Sequence, residues 1–81
     1  MTNHESNTFN HLLAKARAAQ RGGKRSWAVQ STGERCAVAL LLNKTSWLRS
    51  MDYTVLEALQ RLDYDWRALL PAVAQALREE F

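Results

Sequence analysis

The sequence predicts an all-α fold, in which four or five short helices pack around a buried central helix. Apolar residues recur at helical spacing near both ends of the chain, which is typical of amphipathic helices. A Ser or Thr followed three residues later by Glu, a pattern common at helix starts, occurs at 2–5, 31–34 and 54–57. The apolar stretch at 36–42 is rich in Ala and Leu, which favour helices over strands.

The composition is that of one folded domain spanning residues 1–81. Apolar residues make up 47% of the chain and charged residues 23%, with one Pro and three Gly, which is unlike a disordered polar segment. A chain of this length buries only roughly 60 to 65% of the surface that its unfolded form exposes, so its core gains from a partner. We divide the chain into a basic N-terminal helix at 1–21, a link at 22–30 and a helical core at 31–81.

The N-terminal helix is expected to start at a capping box formed by Thr2 and Glu5. Gly22 is expected to end this helix by adopting a left-handed conformation, which glycine reaches without steric penalty. The "RSWAVQ" stretch at 25–30 then suits a short extended connection. The apolar side of the helix consists of Phe9, Leu12, Leu13, Ala16 and Ala19.

The "STGE" stretch at 31–34 decides the fold class, because it fits two local structures. It can form the tight turn of a hairpin or a capping box that opens a helix. The composition of the following residues favours the helix, so we expect a buried central element at 36–42 that ends at Asn43. An α+β fold with a hairpin at 26–42 is the alternative.

Further helical segments are predicted after the central element. A short turn or helix covers "TSWLRSM" at 45–51, and a longer helix follows the capping box at 54–57. Asp63 or Asp65 caps the last helix, and Pro71 removes one of its hydrogen bonds, so a kink or a fresh start is expected there. The predicted inward stripes are Val55, Leu56, Leu59 and Leu62, then Trp66, Leu69, Leu70, Val73 and Leu77, with Glu57 and Arg61 as an exposed pair.

No residue pattern points to catalysis, a cofactor or a metal site. The phosphate-loop pattern G-x-x-x-x-G-K-[ST] fails at Ala18 and Arg25. His4 and His11 would lie about 10.5 Å apart along one helix, too far for a single metal ion. Cys36 lies in the most apolar stretch, which suits packing rather than nucleophilic attack. We therefore expect no enzyme activity, no cofactor and no small-molecule substrate.

Basic residues are concentrated in the first half of the chain. Six cations and two acids through Arg35 give +4, whereas the remaining five cations and six acids give −1. The basic stretch either neutralises nucleic-acid phosphates, with Trp27 stacked on an unpaired base, or forms a solvated helix face with Trp27 in the core. Asp63 and Asp65 argue against a helix-turn-helix, because they would repel phosphates. The residues predicted for nucleic-acid contact are Arg17, Arg21, Lys24, Arg25 and Trp27.

The aromatic residues predict a surface for contact with another protein. Three Trp, two Tyr and two Phe are many aromatic side chains for so small a core. Trp and Tyr are also the residues that anchor many protein interfaces. Trp47, Tyr53 and Tyr64, near predicted loops, are the predicted contact residues, with a protein partner or a second copy of the chain as the occupant. The alternative is that these rings close over the central helix of a monomer.

Residues 30–77, from "STGERCAVALLLNKTSWL" through "MDYTVLEALQRLDYDWRALLPAVAQAL", resemble small uncharacterised proteins carried on proteobacterial plasmids, phages and integrative elements. The resemblance rests on apolar and capping residues, carries no chemical motif and leaves out the basic N-terminal helix. It implies a short accessory protein that binds a host factor or a defence component, with inhibition of a defence factor as one version.

Together these observations predict a non-enzymatic, macromolecule-binding accessory protein that acts through protein contact, with nucleic-acid binding as the alternative. The chain has a single Cys, no apolar run near 18 residues and no signal-peptide order at its start. We therefore expect a cytoplasmic location and no membrane contact.

Overall fold

A computed structural model of the chain describes the backbone of residues 3–80 and the side chains of residues 7–80. This part of the chain forms five helices and no strand, so the all-α prediction is confirmed and the hairpin at 26–42 is wrong. The capping box predicted at 2–5 includes Thr2 and lies outside the described residues. The helices are α1 (Asn3–Ala28), α2 (Thr32–Leu41), α3 (Thr45–Arg49), α4 (Val55–Arg61) and α5 (Tyr64–Glu79).

Helix α2 is the central element, and it packs against each of the four other helices. Ser31 opens it with the predicted capping box: the Ser31 hydroxyl accepts the Glu34 N–H at 3.1 Å, and the Glu34 carboxylate accepts the Ser31 N–H at 2.9 Å. These two bonds satisfy backbone donors that a helix start leaves unpaired, which is why the segment forms a helix rather than a hairpin turn.

The buried part of α2 is shorter than predicted. Only residues 36–39 are fully buried, and residues 40–42 are half-buried. The helix stops as expected at Asn43, which has a left-handed φ of 57°. The Asn43 N–H donates to the Leu40 oxygen at 3.2 Å and the Lys44 N–H donates to the Ala39 oxygen at 2.8 Å, the pair of bonds that defines a Schellman ending.

Helix α1 breaks at Gly23 rather than ending at Gly22. Gly23 has φ 72° and ψ −162°, a region of backbone conformation that is open essentially only to glycine. Helical turns then resume through Ala28, so the extended connection predicted at 25–30 within the link is wrong. After the break the chain folds back along α1. The Gln30 side-chain amide donates a 3.0 Å hydrogen bond to the Lys15 main-chain oxygen.

Helix α5 runs without interruption through Pro71, so the predicted fresh start at this residue is wrong. Its inward stripe is confirmed, with Val73 and Leu77 buried and the other predicted members half-buried. Asp63 occupies the N-cap position but makes no side-chain capping bond, and Asp65 lies in the first turn. This stripe packs against α1 and α2.

Helices α3 and α4 cover one side of α2. Helix α3 is the short helix predicted within 45–51, and it buries Leu48. Helix α4 begins at the confirmed capping box of Thr54 and Glu57. No helix within residues 3–80 is both long and apolar enough to cross a membrane.

Candidate contact surfaces

Helix α4 turns apolar side chains outward, contrary to the prediction for its inward stripe. Ala58 and Leu62 face the core, whereas Leu56 is 66% exposed and Val55 is 44% exposed. Val55, Ala58, Leu59 and Leu62 follow the i, i+3, i+4, i+7 spacing of one helical face, but Val55 stays exposed in the first turn of α4. Leu56 falls outside this face. Placing Leu56 on the core face was therefore an error in helical periodicity, and Ala58 is the residue that the prediction should have included.

The outward side of α4 carries both polar and apolar groups. We call it the α4 outer face, and its Glu57 and Arg61 are exposed as predicted. The Glu57 carboxylate accepts the Thr54 N–H at 2.9 Å, so it also closes the capping box. A shallow cleft of about 330 Å³ runs along this side, lined by Asp52, Tyr53, Glu57, Gln60 and Arg61. The α4 outer face consists of Tyr53, Val55, Leu56, Glu57, Gln60 and Arg61.

Two of the three predicted protein-contact residues, Trp47 and Tyr53, line different clefts. Tyr64 is 74% exposed at the start of α5. Tyr53 is half-buried at the edge of the α4 cleft. Trp47 is half-buried in a different cleft, beside α1 and α2.

Trp27 belongs to the core, which contradicts its predicted role as a stacking platform for a base. Its side chain is 1% exposed, and its Nε1–H donates a 2.8 Å hydrogen bond to the Arg35 main-chain oxygen. The Trp47 ring packs against it with a centroid distance of 5.1 Å and an interplanar angle of 37°. Trp47, rather than Trp27, is therefore the ring of this pair that reaches the surface.

Of the four cations predicted to contact nucleic acid, Arg17 forms an ion pair with another described residue, Glu80. Arg17 donates through Nε to Glu80 Oε2 at 2.7 Å, and its Nη2 donates to the same oxygen. These bonds raise the pKa of Arg17 and lower the pKa of Glu80, because each stabilises the charged form of its partner. Arg21, Lys24 and Arg25 are exposed.

Two clefts meet on the basic side of α1. The larger one, about 680 Å³, is lined by Arg17, Gln20, Arg21 and Glu80. The smaller one, about 300 Å³, is lined by Ala19, Gln20, Gly23, Leu42, Lys44 and Trp47. Gln20 lines both clefts, so the two adjoin at this residue.

His11 is a structural contact between α1 and α2 in this protein. Its Nε2 lies 2.7 Å from Glu34 Oε2, and its ring centre lies 6.0 Å from that of Trp66. Burial opposes ionisation of Glu34, but hydrogen bonds from the Ser31 N–H and from His11 outweigh it and lower the pKa of the carboxyl. Among residues with described side chains, no three His, Cys, Asp or Glu residues are grouped to hold a metal, and His4 is not among those residues.

Cys36 is fully buried, as its apolar surroundings predicted. Burial raises the pKa of its thiol, although Arg61 and Arg35 partly offset the effect. The thiol is thus a packing group between α2 and its neighbours.

The geometry describes a small helical bundle with a face of mixed apolar and polar groups on α4 and two adjoining clefts with basic and aromatic lining beside α1. No protein-family model, curated protein or solved structure matches this chain.

Proposed function

We propose that this chain is a non-enzymatic binding protein that acts through protein–protein contact, and that the α4 outer face is its contact surface. The observation that carries the proposal is the 66% exposure of Leu56 on a helix whose inner side already fills the core. Burying a Leu side chain at an interface stabilises a complex by roughly 1.5 to 3 kcal/mol. Burial of the α4 outer face against a partner would therefore stabilise a complex by a free energy that the monomer alone does not gain.

The layout of the α4 outer face supports the same proposal. Val55 and Leu56 supply exposed apolar groups, and Glu57, Gln60 and Arg61 supply exposed polar groups on the same helix. Stable interfaces combine apolar groups with polar groups at their edge.

The occupant that this face fits is a second copy of the chain. Glu57 and Arg61 lie one helical turn apart and carry opposite charges, so a two-fold axis across α4 would set each acid against the base of the other copy. A small core also gains much from dimerisation, because burial per residue is low in short chains. Inhibition of a host or defence factor in the cytoplasm is the finer proposal, and it rests on the resemblance to accessory proteins of mobile elements.

Light scattering with in-line size separation tests the contact surface. We expect the wild-type chain to show twice the monomer mass at high concentration and Leu56→Glu to show the monomer mass at every concentration. Val29→Glu is the matched control, because Val29 is 84% exposed at the end of α1 and its substitution should leave the dimer intact. A dimer that survives Leu56→Glu, or that Val29→Glu also dissociates, would argue against the α4 outer face.

A further inference from the structure

We propose that the two clefts that adjoin at Gln20 bind single-stranded nucleic acid, with Arg21 and Lys44 contacting phosphates and Trp47 stacking on a base. This site shares no residue with the α4 outer face, so either proposal can fail without affecting the other. We call it the Gln20 seam, and it consists of Arg17, Gln20, Arg21, Gly23, Lys44 and Trp47.

The charge of the seam favours an anionic ligand. Its two clefts are lined by three cations, Arg17, Arg21 and Lys44, and one acid, Glu80. Lys24 and Arg25 are exposed directly after Gly23 and extend the positive surface. Neutralising phosphates with such side chains releases counterions, which supplies most of the affinity of sequence-independent nucleic-acid binding.

Trp47, the aromatic member of the Gln20 seam, is held in place by a buried neighbour. Trp47 rests on the buried Trp27, whose indole is itself fixed by its bond to the Arg35 oxygen. The Lys44 ammonium lies 5.9 Å from the centre of the Trp47 ring. The Lys44 ammonium lies over the ring, so a base that stacks on Trp47 must take the place of this cation, which then pairs with the neighbouring phosphate.

The backbone at Gly23 leaves room for the ligand. A Cβ placed on Gly23 would meet no atom within 4 Å, so the space beside this residue is open. Because Gly23 has no side chain, a sugar or phosphate can approach its main chain closely.

The use of Trp47 favours a single strand over a duplex. Bases in a duplex are stacked on one another, and only an unpaired base offers its face to an aromatic side chain. An acidic peptide could pair with the cations but would leave the ring without a stacking partner.

Glu80 competes with the ligand in this arrangement. Its carboxylate occupies the Arg17 guanidinium, so a phosphate in the larger cleft must displace it. Glu80→Gln should therefore bind nucleic acid several-fold more tightly than the wild type, whereas loss of Arg21 or Lys44 should weaken binding.

Fluorescence anisotropy with a labelled oligothymidylate of roughly 12 nucleotides, a length within the range of single-strand sites, tests the proposal. We expect binding that weakens as salt rises, and a log–log slope that becomes shallower by about 0.7 for each of Arg21→Ala and Lys44→Ala. Arg67→Ala is the matched control, because this exposed arginine lies about 20 Å from Glu80 along α5 and carries the same charge. Absence of binding at low salt, or equal effects of all three substitutions, would overturn the proposal.

Trp47→Leu separates stacking from charge. It should weaken oligothymidylate binding by roughly five- to 150-fold and leave binding of labelled polyphosphate, which has no bases, unchanged. Equal binding of the single strand and of a duplex of the same length by the wild-type chain would also contradict the stacking role. If Trp47→Leu does not fold, as judged by its circular dichroism, this wild-type comparison decides the stacking role, and the Arg21→Ala and Lys44→Ala variants decide the charge contacts.

Discussion

The indole of Trp27 joins the end of α1 to the start of α2, since its Nε1–H donates to the main-chain oxygen of Arg35 at 2.8 Å. The Arg35 guanidinium carbon lies 5.8 Å from the centre of the same ring. Trp27 is therefore fixed both by a hydrogen bond and by contacts on its faces, and it supports Trp47 at the surface.

Trp27→Phe tests this link. Phe keeps most of the ring contacts but removes the Nε1–H, which leaves the Arg35 oxygen without its side-chain donor. We expect the free energy of unfolding to fall by about 1 to 3 kcal/mol in urea titrations. Trp66→Phe, at a half-buried Trp ring that packs beside His11, should cost less, and a larger loss there would contradict the assignment.

Gly23→Ala tests the break in α1. The backbone at Gly23 lies where a Cβ is strongly disfavoured, so Ala should lower the free energy of unfolding by about 1 to 3 kcal/mol even though the surrounding space is open. Gly33→Ala is the control, because Gly33 lies inside α2 and a Cβ there makes only ordinary contacts, the nearest at 3.7 Å from the Trp66 ring. We expect this control to be neutral or stabilising by up to about 1 kcal/mol, and similar losses for both variants would refute the break.

Asp52 offers a stabilising substitution at the end of α3. Its φ of 60° is left-handed, and the bonds from the Asp52 N–H to the Arg49 oxygen and from the Tyr53 N–H to the Leu48 oxygen form a second Schellman ending. Asp52→Gly should raise the free energy of unfolding by about 0.5 to 1 kcal/mol, whereas Asp52→Ala should lower it by about 1 kcal/mol. Thermal unfolding of the two variants gives the order of their stabilities. An Asp52→Ala variant that is more stable than Asp52→Gly would contradict the left-handed conformation of residue 52.

The lowered pKa of Glu34 predicts that the protein loses stability in acid. Its pKa in the folded protein is lowered, so its contribution to stability is present above its unfolded pKa, near 4.3, and is lost as the pH falls through the folded value. Glu34→Gln keeps the capping box but removes the charge next to His11. We expect it to cost on the order of 1 kcal/mol at pH 7 and almost nothing near pH 2.

Glu57→Gln is the matched control for this pH dependence. Glu57 closes the same kind of capping box, but its carboxylate is not paired with His11, the histidine whose side chain the structure describes. Urea titrations of both variants across the pH range should show the larger pH-dependent difference for Glu34→Gln. A cost for Glu34→Gln that is the same at pH 2 and pH 7 would contradict the role of the charged carboxylate.

The sequence allowed the helices to be predicted where local chemistry fixes them. The capping boxes at Ser31 and Thr54 formed because a hydroxyl and a carboxylate three residues apart satisfy the free N–H groups of a helix start wherever they occur. The last-helix stripe around Val73 and Leu77 was also predictable, because its periodicity is long and regular.

Other features depend on tertiary contacts that local patterns do not contain. Gly22 and Gly23 have the same intrinsic tendency to break a helix. The break at Gly23 goes with two tertiary contacts, the burial of Trp27 in the core and the hydrogen bond from Gln30 to Lys15. Burial of Trp27 was one of two expectations, and the local pattern did not decide between them because its partners Arg35 and Trp47 come from two other elements. The Gln20 seam combines residues from α1 with Lys44, just before α3, and Trp47, within α3, so no single stretch of sequence revealed it.

Amide hydrogen exchange measured over a range of protein concentrations tests the central claim, contact through the α4 outer face, most directly. We expect the backbone amides of residues 55–61 to become more protected as the concentration rises, while those in the buried half of α2 stay unchanged because they are already protected in the monomer. Exchange of residues 55–61 that is independent of concentration, or concentration-dependent protection confined to α1, would contradict the claim.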